Sequence, residues 1–282
     1  MTTAVPQATA LTAPASWRTV DFISDLHLQA AEPATFAAWQ CYMLTSPADA
    51  LFILGDFFEV WVGDDALTLG TAHAVKAQGQ PSFDDQCADV LRLASERMQI
   101  YFMHGNRDFL VGQAAMRCIN GTLLADPTTL AFGGQRYVLS HGDALCIDDT
   151  AYMQFRQQVR SAAWQQAFLA KPLAERQALG RQLREQSEAK KQSGTTIIDV
   201  DAPSARQLLQ AAQAQVLIHG HTHQPATHDL GNGLRRVVLS DWHAALDNRS
   251  GAAIGSVHRA EVLRLRLDQQ LKACELQRLP LI

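Results

Sequence analysis

Five short apolar runs punctuate the chain: Thr19 to Ser24, Ala50 to Leu54, Gln99 to Met103, Arg136 to Leu139 and Ala214 to Ile218. Their length and their β-branched and aromatic content predict buried strands. Ala34 to Leu44 predicts a helix, and Asp84 to Met98 places Val90, Leu93 and Ala94 at helical spacing among charges. Strands alternating with helices in this way predict an α/β fold. Leu130 to Phe132, Gly133-Gly134 and Arg136 to Leu139 read as a hairpin. Arg235 to Leu239 and Ala260 to Leu267 read as further strands, and Asp65 to Gln80 as a loop or partly helical insertion broken by Gly70 and Gly79.

Polar residues capable of binding metal follow each of the five runs directly: Asp25-Leu26-His27, Gly55-Asp56, Gly105-Asn106-Arg107-Asp108, Ser140-His141-Gly142-Asp143 and His219-Gly220-His221-Thr222-His223. Open α/β sheets bind their ligands at the carboxyl ends of strands, where these blocks would lie. A lone histidine is more often structural than a ligand, but four other blocks at strand ends reverse those odds for His221 and His223. His219 lies within its strand. It is expected to support the ligands, as are Asp108 and Asp143 through hydrogen bonds. His73, His104, His228, His243 and His258 are read as structural.

Aspartate, histidine and one asparagine make an oxygen and nitrogen donor set without sulfur, which suits manganese, iron or zinc. Two Mn2+ ions are the expected cofactor. Ions about 3.5 to 4 Å apart need a shared ligand, and Asp56 is the expected bridge. Asp25, His27, Asp56 and His223 are assigned to one ion, and Asp56, Asn106, His141 and His221 to the other. A water held between such ions loses a proton near neutral pH, so no side-chain nucleophile is required.

The region Thr150 to Gln192 lacks strand character and carries two helical patterns divided near Lys171-Pro172. The first contains Tyr152, Phe155, Val159, Trp164, Phe168 and Leu169. The second sets Leu173, Leu179 and Leu183 among Arg176, Arg181, Arg184, Lys190 and Lys191. An amphipathic cap packed on the core accounts for the periodicity by itself. The position between two ligand-bearing strands makes the segment a candidate substrate lid.

With 282 residues and 47% hydrophobic composition, the chain can bury one substantial core, and convergence of blocks from residue 25 to residue 223 favours a single domain. The net charge of -4 gives no electrostatic case for nucleic acid. The five cysteines are scattered without a C-x-x-C pair, against a disulfide framework or thiolate zinc site. Residues 1–16, rich in Ala, Thr and Pro, lack the basic start and apolar segment of a secretory signal and are expected to be a disordered tail. Residues 17–270 are expected to form the domain and 271–282 a C-terminal tail. No stretch approaches the roughly 20 apolar residues that span a bilayer. A cytoplasmic monomer, at most peripheral on a membrane, is expected.

The series D-L-H, G-D, G-N, H-G-D and G-H-T-H resembles the calcineurin-like metallophosphoesterase superfamily over nearly all of residues 18 to 245. The resemblance implies a four-layer αββα sandwich with a binuclear centre, here carrying a helical lid insertion at residues 150–192. The flanking residues, Ile23 to Leu28, Ile53 to Glu59, His104 to Leu110 and His141 to Cys146, are similar to those of UDP-2,3-diacylglucosamine pyrophosphohydrolases of lipid A synthesis. This closer resemblance implies attack of a dimetal-bridging hydroxide on the phosphorus nearest uridine, giving UMP and 2,3-diacylglucosamine 1-phosphate (lipid X), at the cytoplasmic face of the inner membrane. It assigns catalytic roles to Asp56, Asn106, Arg107 and His141. Carried over by position, Asn106, Arg107, Asp149, Ser187 and His221 touch substrate, with Lys190 or Lys191 at an equivalent lid site. Many members of the superfamily carry histidine where Arg107 stands. An arginine cannot protonate a leaving group, but its planar fork suits a diphosphate. Tyr152, Phe155, Trp164 and Phe168 could line a trough for two acyl chains.

A nucleotide phosphodiesterase or phosphoprotein phosphatase would use the same metal centre, but Arg107 and the large insertion argue against it. A non-catalytic protein-binding scaffold usually has eroded ligands, and all seven are present.

Overall fold

The computed structural model describes residues 8–68, 81–192, 198–244, 259–268 and 273–281, with only the backbone at 185–192 and 273. In chain order the elements are β1 (Thr9–Thr12), β2 (Thr19–Ile23), α1 (Pro33–Thr45), β3 (Ala50–Leu54), α2 (Phe83–Ala94), β4 (Gln99–Met103), α3 (Gln113–Ile119), β5 (Gly121–Leu124), β6 (Thr128–Phe132) and β7 (Gln135–Leu139). There follow α4 (Thr150–Val159), α5 (Ala162–Leu169), α6 (Leu173–Gln192), α7 (Ala202–Ala211), β8 (Val216–His219), β9 (Ala226–Gly231), β10 (Leu234–Val238), β11 (Glu261–Asp268) and β12 (Ala273–Pro280).

Strand alternation builds the layers. Successive side chains point to opposite faces of a sheet, so a run that is apolar throughout must be covered on both sides. In β3, Phe52 and Leu54 join a core shared by the two sheets, packed with Phe22, Met103, Leu139, Ile218 and Leu263. Leu51 and Ile53 face the other way, onto Trp39 and Met43 of α1 and Leu91 of α2. On the second sheet Val138 and Leu217 face outward onto Leu208 and Leu209 of α7. The result is an αββα sandwich. Its sheets run β1-β6-β7-β8-β10-β9 and β12-β11-β2-β3-β4-β5.

Strands β2, β3 and β4 are mutually parallel, as are β7 and β8, so the carboxyl ends within each set lie on one edge. Hydrogen bonds join those edges across the sheets. The His141 ring Nδ1 donates to the Leu54 carbonyl at 2.9 Å, and the His221 amide donates to Asp25 Oδ2 at 2.9 Å.

Three expectations need correction. Thr9–Thr12, expected in a disordered tail, is β1, parallel to β6 with Thr9 Oγ1 2.9 Å from Thr128 Oγ1. Its order comes from a distant partner and from Leu11 packing on the inter-sheet core. Residues 1–7 of that tail lie outside the described residues, as do 69–80 of the expected insertion. The expected C-terminal tail contains β12, antiparallel to β11, whose Cys274 and Leu276 alternate inward onto the same core. Arg278 fastens it to the opposite sheet by donating to the carbonyls of Ala226 and Val238 at 2.9 and 2.8 Å. The first lid pattern is two helices rather than one, because Ser161 restarts the chain by capping α5 through the Trp164 amide. Among the described residues no helix is long and apolar enough to cross a membrane.

Candidate metal centre

The seven ligands expected from the sequence converge. Ligand atoms of Asp25, His27 and His223 lie within 4.8 Å of one another, as do those of Asp25, Asp56 and His141. His27 Nε2 and His223 Nε2 stand 3.2 Å apart. Asn106 Oδ1 is 3.1 Å from His141 Nε2 and 2.9 Å from His221 Nδ1. Asp56 lies between these groups, with Oδ2 4.0 Å from His27 Nε2 and Oδ1 3.8 Å from His141 Nε2. Asp25 also borders both groups, where the sequence placed it in one.

The backbone is bent to achieve this. Eight non-glycine residues among those described have positive φ, and five of them are Asp25, His27, Asp56, His221 and His223, at 49° to 71°. Left-handed backbone costs a non-glycine residue free energy and persists where the surrounding structure over-determines it. The determinants here are hydrogen bonds and close approach. Asp25 accepts from Ser24 Oγ at 2.5 Å as well as from the His221 amide, and Asp56 Oδ1 accepts from the Arg107 amide at 2.8 Å. Asp108 accepts from the amides of Gly105 and Phe57, both at 2.8 Å, and so locks the β3 and β4 loops together. A Cβ at Gly105 would lie 2.1 Å from Asp56 Oδ1, so only glycine permits that loop to reach the carboxylate.

Residues 18–225 match the calcineurin-like phosphoesterase family model. The chain belongs to this family. It is 46% identical over 233 residues to the UDP-2,3-diacylglucosamine hydrolase of Chromobacterium violaceum, covering 79% of this chain and 90% of the relative. Proteins of the same name from Aromatoleum aromaticum and Cellvibrio japonicus are 43% and 41% identical, each over 79% of this chain and 88% and 90% of theirs.

The donor set fits the divalent ions expected at a metallophosphoesterase site. Three oxygen-bearing and four imidazole side chains meet without a thiolate, the combination that binds manganese, iron or zinc. The charge pattern also calls for a cation. Burial alone would lower the His141 pKa, but Asp56, Asp143 and Asp25 raise it to about 9. Burial, followed by the charge on His141, lowers His221 to about 4 and leaves its lone pair available. The His141 Nδ1 bond to Leu54 directs Nε2 toward Asn106, fixing which nitrogen can act as a ligand.

A pH dependence follows with a definite sign. His141 with a pKa near 9 carries a proton at pH 7, which metal binding must displace. Affinity is therefore expected to rise as the pH is raised from 6 to 9, with proton release at pH 7. Calorimetry in two buffers of different ionisation enthalpy measures that release, and buffer-independent heats would contradict it.

The supporting residues differ in part from expectation. His219 is buried, donates to the Gly220 carbonyl at 2.8 Å, and is held neutral by burial, which lowers its pKa to about 3. Asp108 supports the ligands through backbone amides. Asp143 was expected to bond a ligand, but its Oδ2 accepts from Tyr152 and Arg156 of α4, at 2.6 and 2.8 Å. His104 donates to the Val111 carbonyl, in keeping with a structural role.

Sequence reasoning missed two acids at the site. Glu59 Oε2 stands 2.9 Å from His27 Nδ1, while its Oε1 is 3.0 Å from Arg184 Nε and 3.6 Å from Arg107 Nη1. Burial would raise its pKa, but His27, Arg107 and Arg184 outweigh that and bring it to about 2. Its signal was its place three residues after Asp56. Asp241 Oδ2 lies 3.7 Å from His223 Nδ1, just after β10.

A cavity of about 510 Å³ opens from the metal ligands. It is lined by His27, Asp56, Asn106, His221 and His223, by the apolar side chains of Phe109, Leu110, Trp164, Phe168 and Leu183, and by Arg107 and Arg184. Asp149 lines it too, while its Oδ1 caps α4 through the Tyr152 amide at 3.0 Å. Ser187, Lys190 and Lys191 fall on α6, and their side chains lie outside the described residues.

Proposed function

We propose that this chain hydrolyses the pyrophosphate bond of UDP-2,3-diacylglucosamine, giving UMP and 2,3-diacylglucosamine 1-phosphate (lipid X) in lipid A synthesis. The observation that carries the reading is the cavity, in which a metal-binding cluster and an apolar trough occupy one space with arginines in its wall. A substrate with a charged diphosphate and two acyl chains needs both environments at once. The names of the relatives support the same substrate.

Asp25, His27, Asp56 and His223 would hold one divalent ion, and Asp56, Asn106, His141 and His221 the other. Two bound ions supply Lewis acidity toward the phosphate oxygens and acidify a water near neutral pH. Manganese is the ion proposed. The chain's own residues do the positioning. The Arg107 guanidinium, permanently charged, receives the charge that builds on the departing phosphate as the phosphoanhydride bond breaks. No proton needs to reach a phosphate leaving group, so an arginine serves where an acid would otherwise be needed. Asp149, Ser187, Lys190 or Lys191, and His221 are the further substrate contacts proposed.

Helices α4 to α6 act as the lid. Trp164 and Phe168 stack at 4.8 Å and, with Phe109 6.0 Å from Trp164, give the trough an aromatic wall. Exposed Phe155 and Leu183 lie on its lining and Leu169 lies on α5. These side chains support the proposed peripheral contact with the inner membrane, where such a substrate resides, and the chain is proposed to act as a monomer.

The test uses manganese-loaded protein, UDP-2,3-diacylglucosamine in detergent micelles and water enriched in 18O. UMP carrying the label, with unlabelled diacylglucosamine 1-phosphate, is the expected result. Label in the lipid phosphate would overturn the site of attack. Hydrolysis of a simple phosphodiester without turnover of the lipid nucleotide would replace the reading with a generic phosphodiesterase.

A further inference from the structure

Helix α4 turns one face toward the metal centre. Tyr152, Arg156 and the C-cap residue Arg160 recur at intervals of four, the spacing that aligns side chains along a helix. The chain places Asp143 opposite that face, two residues after His141, with its side chain fully buried.

Together the three residues touch three of the candidate ligands or the loops that bear them. Tyr152 Oη donates to Asp143 Oδ2 at 2.6 Å, and its ring lies 5.8 Å from that of His221. Arg156 Nε donates to the same carboxylate oxygen at 2.8 Å, holding the His141 loop. Arg160 Nη2 is 3.8 Å from that oxygen and donates to the Gly105 carbonyl at 2.9 Å, immediately before Asn106. The Arg160 guanidinium also sits 5.5 Å from the centre of the ring of Phe109, a residue that lines the cavity. The three ligands reached, Asn106, His141 and His221, are those assigned with Asp56 to one ion. The remaining ligands have further supports, Ser24 for Asp25, Glu59 for His27 and Asp241 for His223, with Asp25 also held by the His221 amide.

We infer that Tyr152, Arg156 and Arg160, acting through Asp143 and Gly105, are positioning residues for one ion only, the one held by Asn106, His141 and His221. The inference rests on the two-metal reading above. It makes α4 both a wall of the substrate cavity and a clamp on half of the metal centre. Occupancy of that half then depends on how α4 is seated, whereas the Asp25, His27 and His223 half meets the inserted helices through α6, where Arg184 pairs with Glu59.

The test measures Mn2+ binding alone, by equilibrium dialysis and by electron paramagnetic resonance. The chain is compared with Arg156→Met and with Tyr152→Phe, which removes one oxygen and keeps the ring. In the parent chain two ions bind and give a spin-coupled pair. In each variant one ion is expected to bind as before, the second roughly 10- to 100-fold more weakly, the usual loss when a group supporting a ligand is removed. An uncoupled Mn2+ signal should then dominate at low metal. Arg264→Met serves as the control. Arg264 pairs through two 2.7 Å bonds with buried Asp21, so its loss should lower thermal stability with both ions retained.

Two tight ions in both variants would overturn the clamp, as would equal weakening of both ions. Fewer than two ions in the parent chain would overturn the two-metal reading itself, and the clamp with it. The parent measurement thus separates the two failures.

Discussion

Asp56→Ala is expected to remove both metals and with them all measurable turnover. The carboxylate lies between His27 and His141, at 4.0 and 3.8 Å. The loss should exceed the roughly 10²- to 10³-fold that follows removal of one preorganised contact, because two ions lose a ligand together. In the metal-free chain the substitution removes the carboxylate that raises the His141 pKa and accepts the Arg107 amide, a loss that relief of Asp108 partly offsets. The carboxylate is buried beside Asp108, whose pKa is raised to about 6 by burial and then by the charge of Asp56. Removing one of two repelling carboxylates relieves that repulsion in the metal-free chain. Metal analysis by mass spectrometry and thermal unfolding in chelator together check the prediction. A variant that kept two ions would show that Asp56 is not shared.

Arg107→Ala should behave differently, keeping both ions and slowing turnover by about 10²- to 10³-fold. Its backbone amide, which holds Asp56 at 2.8 Å, survives the substitution, so the metal site keeps that support. The guanidinium is what disappears. If its role is to stabilise charge forming on the leaving phosphate, kcat falls more than KM rises. Arg107→Lys should recover only part of the rate, since an ammonium lacks the planar fork. Full activity of Arg107→Ala on the lipid nucleotide would end that assignment.

The convergence of the seven candidate ligands was readable because each follows its strand within a few residues. An apolar run of five residues and the polar block behind it are both local features, and the parallel strands do the rest. What was hidden depends on partners far along the chain. Thr9–Thr12 has no apolar run and becomes a strand only against Thr128–Phe132. Cys274 and Leu276 alternate with Glu275 and Gln277, but so short a pattern near a terminus carries little weight until β11 lies beside it. Tyr152 was readable as an apolar residue of a trough, and it does line the cavity. Its hydroxyl bond to Asp143 was hidden, because a basic and aromatic stripe on a helix does not reveal which carboxylate it meets.

The bent backbone under the ligands reaches beyond chemistry. Five left-handed residues cost of order 1 kcal/mol each, a sum comparable with the whole stability of many domains. Ions that bind only the folded chain offset this strain by mass action. A chelator should therefore lower the melting temperature, and an unchanged midpoint would refute the coupling. In a cell, the same linkage joins the protein's lifetime to its mineral supply. Chains made when the divalent ion is scarce would unfold more often and be degraded sooner, so the amount of enzyme, as well as its activity, would follow the metal.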